Sequence, residues 1–154
     1  MSDFHLAQVN IGRTRFPLDS EEMAEFVAAL APINALADQT PGFVWRLATE
    51  DGDATSIKPF EDERMIINMS VWESLEALGD YVYSSAHTAV MRRRRQWFEH
   101  MELYMALWWI PAGVIPTIED AKERLEILKE RGASPGAFTF RQPYGRPGSG
   151  SQAR

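Results

Sequence analysis

Cysteine is absent from the 154 residues, which excludes a disulfide framework, a thiolate metal site and a cysteine nucleophile. That absence suits a reducing cytoplasm, the compartment expected for this chain. Histidine is scarce, and His5, His87 and His100 are not spaced as a metal-binding motif. No G-x-S-x-G elbow, glycine-rich phosphate loop or dinucleotide fingerprint occurs. Positive charge is in deficit, with 16 Lys and Arg against 22 Asp and Glu and a net charge of −6. Neutralising phosphates needs the opposite balance, so nucleic acid is not an expected partner. The most apolar stretch, Leu103 to Pro116, is too short for a bilayer and carries two prolines. The opening MSDFHLAQVN has neither the charged nor the apolar region of a secretory signal. A soluble protein with no membrane partner and no metal is the expectation.

What is present is globular in composition: 45% apolar, 25% charged and 11% aromatic residues. Phe4 to Gly12 is rich in strand formers. Asp19 or Ser20 can cap a helix whose stripe is Met23, Phe26, Val27, Leu30, Ile33 and Ala37. Pro32 should kink that helix or end its regular part. A second strand is expected from Phe43 to Thr49 and a third from Arg64 to Trp72, with polar, turn-rich chain from Glu50 to Glu63 between them. Ser74 opens a helix to about Tyr83, followed by a helical stretch from Ala86 to His100. Glu102 to Ile110 reads as the fourth strand. Thr117 caps a final amphipathic helix (Ile118, Ala121, Leu125, Leu128) that ends at Gly132. Ala137 to Arg141 can add a short strand, and residues 144–154 read as a disordered tail beyond a single domain of residues 1–143.

The order βαββαβ plus one helix favours an α+β fold, a ferredoxin-like four-stranded antiparallel sheet with helices on one face. Such a sheet leaves its other face bare. Since the first and third strands look apolar on both faces, a homodimer packed sheet to sheet is expected.

The sharpest chemical signal follows the third strand. At about 100° per residue, Val90, Met91, Trp97 and Phe98 share one arc, and His87 and Arg94 fall inside it. Arg92, Arg93, Arg95 and Glu99 point elsewhere, so the RRRR run is three solvated arginines and one aimed at the core side. A guanidinium there needs either a structural partner or an anionic ligand. His87 is either a hydrogen-bonded core residue or a proton carrier near neutral pH. Asn34, just past Pro32, can satisfy freed carbonyls or face a pocket. Gln8 and Asn10 share one face of the first strand; Asn68, Ser70 and Trp72 share one face of the third. Buried amides need partners. That polar face therefore lines a wet cavity under the helices, the favoured option, or forms a ladder at a dimer contact. The surplus aromatics (the five tryptophans with Tyr81, Tyr83 and Tyr104) suit a pocket for a flat ligand or a tight interface. Trp108 and Trp109 point to opposite faces of one strand, so at most one can line any one cavity.

The runs Asn68-Met-Ser-Val-Trp72-Glu-Ser74-Leu-Glu-Ala-Leu, Tyr83-Ser-Ser-Ala-His87 and Arg92-Arg-Arg-Arg-Gln-Trp97-Phe98 resemble the dimeric α+β-barrel superfamily. Over residues 4–143, including His5-Leu-Ala-Gln-Val-Asn10 and Pro116 to Phe140, the chain resembles an uncharacterised bacterial family related to the antibiotic-biosynthesis monooxygenases. That resemblance implies cofactor-independent oxygenation, or cyclase- or isomerase-type proton transfer, on a hydrophobic or aromatic small molecule. His87 would then be acid or base, Arg94 would hold an anionic or enolate oxygen, and Asn10 and Asn68 would donate hydrogen bonds. Trp72 and Trp97 would stack on the substrate, with Asn34 and Gln8 completing the site. No cofactor is implied. The alternative is haem with His87 as axial ligand, since Asn10, Trp72 and His87 stand in places similar to those of haem-degrading relatives, the His displaced by about one helical turn. A non-catalytic dimeric binding protein is the third reading.

Overall fold

The computed structural model describes residues 3–48, 61–62, 64–100 and 104–147, with only the backbone of Ser85. Four strands, β1 (Phe4–Arg13), β2 (Phe43–Arg46), β3 (Met65–Trp72) and β4 (Met105–Pro111), form one antiparallel sheet in the order β2-β3-β1-β4. This is the ferredoxin-like α+β arrangement. Because β1 and β3 are central, Gln8 pairs with Ser70 and Asn10 with Asn68. The polar residues of the two strands therefore meet side by side.

One face of the sheet is wholly apolar at its centre. Ala7, Val9, Ile67, Met69, Val71, Ala106 and Trp108 are all buried there. They pack with Ala121, Leu125 and Leu128, the inward stripe of helix α5 (Ile118–Arg131). Local chemistry makes that helix independent of its neighbours. Thr117 and Asp120 form a reciprocal capping box at 2.9 and 3.0 Å, and Lys129 and Arg131 oppose the dipole at the other end. Gly132, with φ of 71°, stops it. The face expected to be bare and to hold a homodimer is thus packed against the chain's own last helix. The reason is length: the chain continues past β4 with an amphipathic helix whose apolar stripe needs a surface.

The opposite face carries α1 (Ala24–Gln39, entered through a 3-10 turn at Glu21–Met23), α2 (Leu75–Val82), α3 (Ser85–Met91) and α4 (Arg94–Trp97). α1 runs through Pro32 to Gln39 as one helix instead of ending. Pro32 and Ala28 are both exposed, so water can take the carbonyl that proline leaves without a donor. The helix expected from Ala86 to His100 is instead two, broken at Arg92–Arg93. The break lets the chain turn down onto the sheet: Trp97 O accepts Arg15 N at 2.7 Å, and Glu99 N reaches Arg13 O. Phe98 then lies so close over Gly12 that a Cβ there would sit 2.7 Å from the ring.

Strand ends shift by a few residues. β2 ends at Arg46, although Leu47 N still bonds Met69 O. β4 begins at Met105; residues 102 and 103 of the expected strand lie outside the described residues, as do 50–60 and 63 of the intervening segment and 49 at the end of the expected second strand. Residues 137–141 form no strand, only isolated pairings of Phe138 with Leu107, Ala137 with Ser134 and Thr139 with Gln142. At the start of the expected tail, Tyr144 O accepts Trp109 Nε1 at 2.9 Å and Arg146 Nη2 reaches Glu73 O. Residues 148–154 lie outside the described residues. No helix among the described residues is long and apolar enough to cross a membrane.

Candidate active site

The helix-side face changes character along its length. At one end Leu6, Trp72 and Leu107 are sealed by Ala37, Ala77, Leu78 and Phe138. Toward the other end, at Gln8–Ser70 and Asn10–Asn68, the helices stand off and leave a cavity of about 930 Å³. That size lies at the upper end for small-molecule sites. Phe26, Leu30 and Ile33 of α1, Tyr81 of α2, His87 of α3 and Trp97 of α4 form its walls, and residues 139–141 line it from the C-terminal segment.

Seven of the eight residues singled out from the sequence line this one space: Gln8, Asn10, Asn34, Asn68, His87, Arg94 and Trp97. Trp72 does not. It is 0% exposed, its indole donates to Ser70 Oγ at 2.8 Å, and its ring stacks beneath Tyr81 at 5.2 Å. The expected substrate contact is corrected to a support: Trp72 shares the face of Asn68 but sits at the end that α2 covers.

The floor is a fixed amide network. Gln8, only 7% exposed, spends both Nε2 hydrogens on Asn68 Oδ1 (2.8 Å) and Ser70 Oγ (3.0 Å). Asn68 therefore turns its own NH₂ donors outward, and Asn10 and Asn34 make no side-chain hydrogen bond among the described residues. Three amides can thus donate to a ligand.

His87 is oriented by its other nitrogen. Ser84 caps α3 through His87 N, and the ring Nδ1 lies 3.0 Å from Val82 O. A carbonyl only accepts, so Nδ1 carries the proton and Nε2 keeps its lone pair. Burial pushes the imidazole below its ordinary value, partly offset by the Val82 bond. A neutral ring with a free Nε2 at pH 7 is a base-ready histidine.

Tyr81 tilts against that ring at 4.8 Å. Burial, with Asp38 adding and Arg46 opposing, pushes its phenol up to about 12, so it remains an O–H donor. Sequence reasoning counts it only among surplus aromatics; no local spacing signals its role, because Trp72 beneath it and His87 beside it come from other elements. Trp97, 3% exposed, packs on Phe26.

The arginine run divides differently from the expected three solvated and one inward. Arg93 binds Glu25 at 2.8 Å and lies over Trp97 at 4.7 Å, while Arg92 and Arg95 are exposed. Arg94 meets no carboxylate among the described residues; its guanidinium rests on the Tyr104 ring at 4.3 Å. Trp108 is buried against α5 and Trp109 lies beside Tyr144, so neither lines the cavity. No group of three or more His, Asp or Glu among the described residues could hold a metal ion.

A family model described as a domain of unknown function, DUF3291, matches residues 5–153. The chain belongs to the DUF3291 family. No curated protein is similar to this DUF3291 chain in sequence. Solved structures share its fold at low identity. A conserved protein from Methanosarcina mazei is 8% identical over 71% of this chain and 93% of that one, with a TM-score of 0.51. SnoaB, a cofactor-independent oxygenase from Streptomyces nogalater, is 16% identical over 76% and 98%, with a TM-score of 0.47. A putative antibiotic biosynthesis monooxygenase from Chloroflexus aurantiacus is 14% identical over 74% and 98%, with a TM-score of 0.46.

Proposed function

We propose that this DUF3291 chain is an enzyme that removes a proton from an apolar small molecule without a cofactor, His87 Nε2 being the base. The observation that carries the reading is the tautomer: Nδ1 is bound to Val82 O, so the nitrogen left over is the one able to accept. It sits on the wall of a cavity otherwise lined largely by aromatic and aliphatic side chains. Proton loss from carbon leaves charge on an adjacent oxygen. Arg94, Asn10 and Asn68 are the groups that would meet it, and donors already in place where charge develops lower the barrier. Phe26 and Trp97 would hold a flat ring. Trp72 acts only through Tyr81.

What the anion then does defines the reaction. Reprotonation at another carbon is isomerisation; attack on an internal carbonyl is cyclisation; an electron-rich anion that itself reduces O₂, takes it up as a hydroperoxide and loses water to leave a carbonyl gives the monooxygenase-like outcome.

The test needs no prior substrate. A panel of aromatic polyketides, quinones and terpenoids is incubated with the protein in D₂O and read by mass spectrometry. Deuterium should enter at least one compound, and His87→Ala should slow that exchange by roughly 10²- to 10⁴-fold while the same compound still raises the melting temperature. If no compound stabilises the protein and His87→Ala merely loses stability, the residue is structural and the enzyme reading fails.

A second reading draws on the same free nitrogen. Nε2 facing an apolar cavity also suits an axial haem ligand. A Soret shift on adding haemin, lost in His87→Ala, would favour it; an unshifted spectrum removes it.

A further inference from the structure

The arginines of the chain, compared with one another, bear on the charge of the ligand. Arg13 binds Asp62 and Glu99, Arg46 binds Asp38, and Arg93 binds Glu25. Arg94 follows Arg93 directly and, like the exposed Arg92 and Arg95, has no such partner among the described residues; unlike those two it lines the cavity. Its plane rests on Tyr104, and an arginine stacked on a ring keeps its N–H fork free at the edge. Arg94 and Arg141 both line the cavity, whereas none of the described lining residues is Asp or Glu. His87 adds no negative charge. Two guanidiniums and no acid among the described lining residues stand out in a chain of net charge −6. A half-buried cation without a counter-ion is costly unless something else supplies the anion.

We propose that the ligand supplies it: an amphipathic carboxylate whose acid group sits on Arg94, beside Tyr104, and whose apolar body lies along Phe26, Leu30 and Trp97. The planar guanidinium matches a planar carboxylate through two parallel hydrogen bonds. With Arg94 taken by the acid group, Asn10 and Asn68, whose amide donors have no partner among the described residues, are left to meet oxygen charge that develops on that body. This inference rests on the cavity being the ligand site and names the substrate class for it.

The probe is 11-(dansylamino)undecanoic acid, paired with its methyl ester, which keeps the body and removes the charge. Fluorescence titration at low salt should show one-to-one binding, with the acid tighter than the ester by about 10-fold or more. Raising salt should narrow that gap. Arg94→Met should abolish the preference by weakening the acid far more than the ester, Arg94→Lys should keep part of it, and His87→Ala should leave it intact. Equal binding of acid and ester, or a preference that survives Arg94→Met, overturns the carboxylate assignment and leaves the proton-transfer reading standing. Failure of both probes to bind removes the cavity as a ligand site, and both proposals fall together.

Discussion

The two faces of one sheet differ in what covers them, and through that in what they can do. Ala7, Val9, Met69 and Val71 look toward α5 and are buried in an apolar layer. Gln8, Asn10, Asn68 and Ser70 alternate with them along the same strands and look toward α1, α3 and α4. A face filled by side chains at core density yields stability and no room. A face where helices stand off over amides gives up packing energy and gains a chamber. Strand alternation puts the α5 core and the cavity on opposite faces, and the reach of α2 along the second face decides where that face too becomes core.

That separation can be broken in graded steps. Trp108→Ala, on the α5 side, should cost about 3–5 kcal/mol in urea unfolding, because the void cannot collapse between sheet and helix. A loss under about 1 kcal/mol would mean that α5 does not seal this face. Gln8→Leu, one residue from Val9 and on the other side, should cost only about 2 kcal/mol, the net worth of its two hydrogen bonds at about 1 kcal/mol each. If it proves as damaging as Trp108→Ala, the amide floor is core and not cavity lining.

Acid should sharpen the comparison further. The folded His87 imidazole lies below its ordinary value because burial disfavours the charged ring. Between that lowered value and about 6.5 the unfolded chain binds more protons than the folded one. Stability is therefore fully present above about pH 6.5 and falls as pH drops through the window. His87→Gln should flatten that part of a stability-against-pH curve, and an unchanged curve would place the ring in bulk water. The smallest effect belongs to Tyr83. It is 70% exposed and touches Phe140 only edge-on at 6.0 Å, so Tyr83→Ala should shift stability by no more than about 0.5 kcal/mol. A larger loss by the same unfolding assay would show that the C-terminal segment is held there.

Much of the site is legible in the chain because its signals are local. A helical wheel puts His87 and Arg94 with Trp97, and the pairing of β1 with β3 follows from element order, which brings Gln8 and Asn10 to Asn68. Trp72 shows the limit. Alternation tells which face a side chain occupies but not how far along that face the helices reach, and Trp72 lies where α2 closes it off. The α3–α4 break is similarly hidden, since Arg92 and Arg93 are good helix formers. The turn is imposed by the backbone bonds of Trp97 and Glu99 to β1.

By itself the sequence determined the helices capped by Ser74 and Thr117, the alternating strands and the set of side chains able to act, because each depends on neighbours within a few residues. Ser20, expected to cap the first helix, makes no cap bond and donates to Pro17 O instead. Tertiary structure decided that α5 covers the apolar face, that Arg93 takes Glu25 while Arg94 meets no acid among the described residues, and that Tyr81 joins His87. Those outcomes come from contacts between distant segments, whose geometry exists only once the sheet has formed and the helices have settled on it.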